Sequence, residues 1–150
     1  GQYSNEFIEV LRQLWTQDEA TFSGKYWNFE AVVTSPKPLQ KPHPPIVMGG
    51  NRAAALKRVA HLGDGWHPLG LSPESLSKRL AQIQQEAASI GRNLKNFPIQ
   101  VRRDFQGVDS DLIEAYGEVG VTDLVLSCNT GEVTEISKTL DSFAKDFIQP

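Results

Sequence analysis

From Pro45 onward, short apolar runs alternate four times with helical segments, and this rhythm constrains the fold more than any other feature of the sequence. The first run, Pro45-Ile46-Val47-Met48-Gly49-Gly50, ends in paired glycines and reads as a buried strand. Residues 51–62 are alanine-rich and helical, with Gly63 placed as a C-cap. Gly65-Trp66-His67-Pro68-Leu69 reads as a second strand. Ser72-Pro73-Glu74 then opens a helix with a capping serine, a proline at the first position and an acid after it. Leu76, Leu80, Ile83 and Ala87 form its inner face, and Gly91 ends it. Phe97–Arg102 is the third strand, a helix follows at about 109–118, and Val121–Ser127 is the fourth strand. The last helix carries Val133, Ile136, Leu140, Phe143 and Phe147 at helical spacing. Strands apolar on both faces and joined by helices build a parallel sheet with right-handed crossovers, so the expected fold class is α/β. Two architectures satisfy the pattern, an open doubly wound sheet and part of a (β/α)8 barrel. A whole barrel takes about 250 residues, and this chain has 150.

The segment upstream of this rhythm is different. Phe7, Ile8, Leu11, Leu14 and Trp15 share one helical face, with Ser4 or Asn5 as the cap and Glu6 and Glu9 in the first turns. Thr21, Phe22, Tyr26, Trp27, Phe29, Val32 and Val33 favour extended structure, with a turn at Ser23-Gly24-Lys25. Residues 36–45 hold five prolines in ten positions, which forbids a helix interior and reads as an extended connector.

Composition narrows the class of partner. The net charge of -3, with 22% charged and 39% hydrophobic residues, gives no electrostatic reason to expect nucleic acid or an anionic membrane. Cys128 is the only cysteine, which fits a reducing compartment. No apolar run approaches the roughly 20 residues of a membrane span. Gly1-Gln2-Tyr3-Ser4-Asn5 does not read as a signal peptide, so a cytoplasmic setting is expected. His43 and His61 lack flanking acids at ligand spacing, and no metal is expected. No Walker loop, nucleophile elbow or dinucleotide GxGxxG occurs.

Three ordered blocks carry a family resemblance. The first is Asn5–Trp15. The second is Phe22–Phe29, running on to Pro36–Gly50. The third is Arg58–Leu69. Together they resemble the luciferase-like monooxygenase superfamily, especially the branch that uses the deazaflavin coenzyme F420. The resemblance implies a (β/α)8 TIM barrel, here a C-terminal half barrel of about four parallel β/α units. Residues 1–17 would be the barrel's fourth helix, 18–44 the family's insertion and Pro-rich connector, and 45–150 the four units. The N-terminal half, which carries much of the flavin-ring contact, is missing from this sequence. The implied function is that of an oxidoreductase or monooxygenase acting on a small organic substrate with F420, or alternatively FMN. The implied partners are the missing N-terminal half or further copies of the chain.

Gly49-Gly50-Asn51-Arg52, following Met48, stands where a strand gives way to a helix. Free amides there attract phosphate, glycine allows close approach, and Arg52 adds a charge-assisted bond. The family places its cofactor's phosphate-bearing tail near the matching glycines, so residues 48–52 are the expected cofactor site. Trp66, His67, Leu69 and Arg103 are the candidate substrate pocket, with His67 the candidate proton donor or acceptor. Each has a plainer alternative: a core tryptophan, a packed histidine, and a rim ion pair among Arg102, Arg103 and Asp104. Asp64, at the N-terminal end of its strand, reads as structural. Cys128 and Asn129 end the fourth strand, Cys128 as a small buried residue. Two other functions stay open. One is a non-catalytic half-barrel binding or assembly module, and the other is an open sheet that takes a phosphorylated metabolite at its strand ends.

Overall fold

The computed structural model describes residues 1–128 and 131–148. Eleven elements occur among them: α1 (Gln2–Thr16), β1 (Ala20–Ser23), β2 (Asn28–Val32), β3 (Val47–Gly49), α2 (Ala53–Leu62), β4 (Gly65–His67), α3 (Pro73–Ser89), β5 (Gln100–Asp104), α4 (Ser110–Val119), β6 (Asp123–Ser127) and α5 (Val133–Phe147). The expected end of the fourth strand at Asn129 lies outside the described residues.

β3 pairs β4 in parallel, with Val47 opposite Gly65, Met48 opposite Trp66 and Gly49 opposite His67. β5 pairs β6 in parallel from Gln100 opposite Asp123 to Asp104 opposite Ser127. Single parallel bridges, Trp66 to Ile99 and Leu69 to Arg102, join the two ladders. The strands therefore run in the order β3-β4-β5-β6, each followed by a helix. This is the α/β half barrel that the sequence predicts.

Alternation along each strand separates two faces. Met48, Trp66, Ile99 and Val101 are buried with Leu56, Val59, Leu76, Ile83 and Tyr116 of the helices, and form the core. Gly49, His67, Gln100, Arg102 and Val125 lie on the other face, which in a closed barrel would be the lumen. The chain exposes 9748 Å², whereas a compact monomer of 16.6 kDa exposes roughly 7,600 Å². The open lumen face, and an α5 whose Val133 and Leu140 remain exposed, contribute to the difference.

Several boundaries differ from the sequence reading. α1 starts at Gln2 behind Gly1 with no side-chain cap, and Asn5 instead accepts Arg58 Nε at 2.7 Å, tying α1 to α2. β5 starts at Gln100 rather than Phe97, because Pro98 has no N–H to give to a ladder; its carbonyl instead accepts from Trp66 N at 2.9 Å. Gly63 does cap α2, but in extended backbone. A side chain would be crowded there, with Val59 O 3.0 Å from where a Cβ would sit.

β1 and β2 form an antiparallel hairpin. Glu6 of α1 pins its turn. The carboxylate accepts from Tyr26 N and Trp27 N at 2.7 Å each, and from Lys25 N at 3.1 Å. A Cβ at Gly24 would run into the Glu6 carboxyl and displace it from the turn. Desolvation alone would raise the Glu6 pKa, but the three backbone bonds and the charge of Lys25 outweigh it and hold it below the ordinary 4.5. A folded value below the unfolded one stabilises above about pH 4.5 and fades as pH falls. Amide exchange at Lys25–Trp27 should therefore accelerate on acidification before the core amides respond, and Glu6→Gln should show the fast exchange at every pH. Unchanged protection in Glu6→Gln would refute this role.

Candidate functional site

The turn from β3 into α2 is built from the core outward. Trp66 is fully buried, and its indole Nε1 donates to Gly50 O at 2.9 Å. Gly50 has φ +107, and a Cβ there would approach Ala55 Cβ to 2.9 Å, so this position requires glycine on both counts. The Asn51 side chain clamps the chain after β4: Nδ2 donates to Leu69 O at 2.8 Å and Oδ1 accepts Leu69 N at 3.3 Å. Arg79 of α3 donates to Asn51 O at 2.5 Å. The turn is thus held at three points, and its amides are presented in a fixed geometry.

Arg52 is the N-cap of α2. Its carbonyl accepts the amides of Ala55 and Leu56, and no side chain caps the helix start. α3 and α4, by contrast, are capped from within, Ser72 Oγ accepting Ser75 N at 3.3 Å and Asp109 Oδ1 accepting Leu112 N at 2.8 Å. At α2 the first-turn amides stand in an exposed stretch, Arg52 to Ala54. The Arg52 side chain has no hydrogen-bond or ion-pair partner among the described residues. An uncapped helix start with a free guanidinium beside it suits an anionic oxygen cluster.

The structure sorts the predicted residues. Gly49, Gly50, Asn51 and Arg52 come together at the C-terminal end of β3. Met48 does not join them: its side chain is 8% exposed and packs in the core beside Trp66, so only its backbone borders the turn. Trp66 is likewise a correction. A fully buried ring facing the helices cannot line a substrate pocket, and it supports the turn from behind. His67 lies on the lumen face opposite Gly49, half-buried and without a polar partner among the described residues. Leu69 is 59% exposed at the same mouth.

Arg103 is the third correction. Its Nε donates to Tyr116 Oη at 2.5 Å and its Nη2 to Leu71 O at 2.6 Å, while Tyr116 Oη donates to Leu71 O at 2.6 Å. The guanidinium also lies 5.3 Å from the Tyr116 ring centre. Arg103 therefore fastens β5 to α4 on the helix side. Alternation puts its neighbour Arg102 on the lumen face. Asn51 as a clamp and Arg79 as its brace were not legible, since both act through backbone groups 18 and 28 residues away.

Asp64 stands at the opposite end of β4. Its Oδ2 accepts Ile46 N at 3.0 Å, and its Oδ1 lies 3.4 Å from Arg12 and 3.7 Å from Arg92. This network is structural and far from the mouth. Among the described residues, no group of three or more His, Cys, Asp or Glu is placed to hold a metal, and no helix is long and apolar enough to cross a membrane.

Four parallel β/α units, with a glycine turn and an uncapped helix start at the C-terminal strand ends, define half of a TIM-type barrel. Residues 2–110 match the family of luciferase-like monooxygenases, and the chain belongs to that family. It is 37% identical over 92 residues to the FMNH2-dependent dimethylsulfone monooxygenase of Pseudomonas putida, covering 61% of this chain and 25% of that protein. It is 30% identical along 99% of its length to an uncharacterised protein of Mycobacterium bovis, of which it spans 52%. In structure it superposes on an F420-dependent secondary alcohol dehydrogenase solved with an F420-acetone adduct, with TM-score 0.78 and 15% identity, covering 98% of this chain and 61% of the other. The chain thus spans from a quarter to about three fifths of the length of these proteins.

Proposed function

We propose that this chain supplies the C-terminal half of a flavin-type oxidoreductase and holds the cofactor's phosphate-bearing tail at the start of α2. The observation that carries this is the braced Gly49–Arg52 turn, whose helix start has no internal cap. Gly49 faces the lumen, and nothing lies closer to its missing Cβ than His67 O at 3.7 Å. Its lack of a side chain therefore leaves open space for a ligand rather than relieving a clash in the protein. When bound, the cofactor supplies hydride transfer or oxygen activation at its isoalloxazine-type ring. The chain's own part is to bind the tail through the amides of residues 51–53 and Arg52, and to shape the mouth with His67 and Leu69. His67 is the residue placed to hold or move a proton there. The cofactor is F420 in the leading reading. FMN is the second, favoured by the 37% identical relative whose name specifies FMNH2. The substrate is a small organic molecule. The open lumen face is closed by an N-terminal half barrel or by a second copy of the chain.

The test is a spectrophotometric titration, with F420 and FMN separately, of the barrel that contains this chain. Gly49→Ala should weaken binding by roughly tenfold, because the new methyl fills the approach to the amides. Its folding stability should hold or rise slightly, since the position has room and an ordinary φ. Gly50→Ala should do the reverse in order of severity, losing about 1–2 kcal/mol of stability through strain at φ +107. Failure of both cofactors to bind, or full affinity in Gly49→Ala, would remove the reading.

A further inference from the structure

Among the described residues, the lumen face carries a cation, Arg102, that nothing in the fold explains. Arg102 alternates with Val101 and Arg103, whose side chains are committed to the helix side. It is exposed, and its side chain has no hydrogen bond or ion pair with any other described residue. Its lateral neighbours in register are Leu69, just beyond β4, and Val125 on β6, which are 59% and 40% exposed. A guanidinium is thus flanked on both sides by exposed aliphatic side chains at the C-terminal end of the strands. Closing the barrel would remove water from this row. A cation in such a place is costly unless an anion meets it. The nearest carboxylate on its own strand face, Asp104, is two residues on, roughly 7 Å along the strand, and accepts Gln106 N at 3.1 Å.

We propose that Arg102 is an oxyanion-recognising residue at the barrel mouth, receiving a carboxylate or sulfonate group in bidentate fashion. The proposal rests on the reading of the mouth as a ligand site and adds the chemical class of the ligand. β5 lies two strands from β3, so Arg102 stands roughly 10 Å from the start of α2. That separation gives room for two different anions, one at the cofactor tail and one on the substrate. Arginine presents a planar fork that matches an oxyanion, which a lone lysine charge does not.

The test uses the isotope-labelled closed barrel that contains this chain and reads the Arg102 Nε–H signal by NMR. The probes are methanesulfonate, inorganic phosphate and dimethyl sulfone, the last a neutral shape-mimic of the first. Methanesulfonate should shift the Arg102 Nε–H and the amides of Leu69 and Val125 saturably, and dimethyl sulfone should not. Arg102→Gln should weaken methanesulfonate by roughly tenfold or more, and Arg102→Lys by less, with both variants keeping the dispersed spectrum of a folded chain. Displacement of methanesulfonate by excess FMN or by phosphate would assign the oxyanion to the cofactor. Persistence would assign it to the substrate. Either result upholds the site. Equal shifts from dimethyl sulfone, or unchanged methanesulfonate binding in Arg102→Gln, would overturn it. Because the signal belongs to Arg102 rather than to the cofactor, a failed F420 or FMN titration leaves this result independent of the wider reading.

Discussion

Truncating Trp66 to alanine is expected to cost the fold about 4 kcal/mol, and the milder Trp66→Phe to loosen the Gly49–Arg52 turn more than it loosens the fold. The ring is fully buried on the helix side of the sheet, among Met48, Leu76 and Ile99. Removing it leaves a cavity the size of an indole where close-packed helices and strands have little freedom to collapse. Phenylalanine keeps most of the packing and removes the one N–H. Gly50 O then loses the 2.9 Å bond that fixes the peptide at φ +107. That loss costs about 1–2 kcal/mol on its own. It also releases the amides that follow, so cofactor affinity should fall with the fold intact. Urea unfolding followed by circular dichroism checks the first part, because two other tryptophans, Trp15 and Trp27, complicate fluorescence. Cofactor titration of Trp66→Phe checks the second. An unchanged affinity there would show that the indole bond does not set the turn.

The β/α rhythm was legible because each strand lies in a short run with apolar residues at its core-facing positions and is followed by a helical segment. Ser72-Pro73-Glu74 shows this best, since every part of the cap found there is local. Strand starts were less legible. Pro45 and Pro98 extend the apolar runs but have no N–H to donate to a ladder, so β3 and β5 begin later than hydrophobicity alone indicates. The paired arginines illustrate a different limit. Both follow an apolar run, and only the phase of alternation decides which meets the helices. Ile99 and Val101 fix that phase once their burial is known, which puts Arg103 with Tyr116 and leaves Arg102 on the lumen face. Trp66 shows that residue type near a strand end does not say which face it takes. Asn51 had a second role hidden from sequence, because its partner at Leu69 is a backbone segment brought close only by strand pairing.

Replacing Asp64 should cost the fold about 2–3 kcal/mol, less than removing Trp66, and it should leave the mouth untouched. The carboxylate joins four parts of the chain: Arg12 of α1, the connector at His43 and Ile46, the start of β4, and Arg92 beyond α3. Both arginines are also committed to carbonyls, Arg12 to Leu62 O at 2.7 Å, and Arg92 to Ala60 O at 2.8 Å and Gly63 O at 2.6 Å. They cannot simply turn to water when Asp64 goes. Burial pushes the Arg92 pKa down, Asp64 opposes that, and the like charge of Arg12 adds to it. Arginine stays charged at neutral pH regardless. Asp64→Ala therefore leaves two half-buried cations facing each other and Ile46 N without its acceptor. A fully buried site would lose about 3–5 kcal/mol; with each side chain still a quarter exposed, a loss of about 2–3 kcal/mol is expected. Asp64→Asn should lose less, because an amide oxygen can still accept Ile46 N. Added salt should recover part of the loss in Asp64→Ala by screening the two arginines, whereas it should do nothing for Trp66→Ala. The mouth lies at the other end of the strands, so cofactor affinity per folded molecule should be the same in Asp64→Ala as in the native chain. A fall in affinity matching the fall in stability would mean that the two ends of β4 are mechanically coupled, and that the division between a stabilising end and a binding end does not hold in this half barrel.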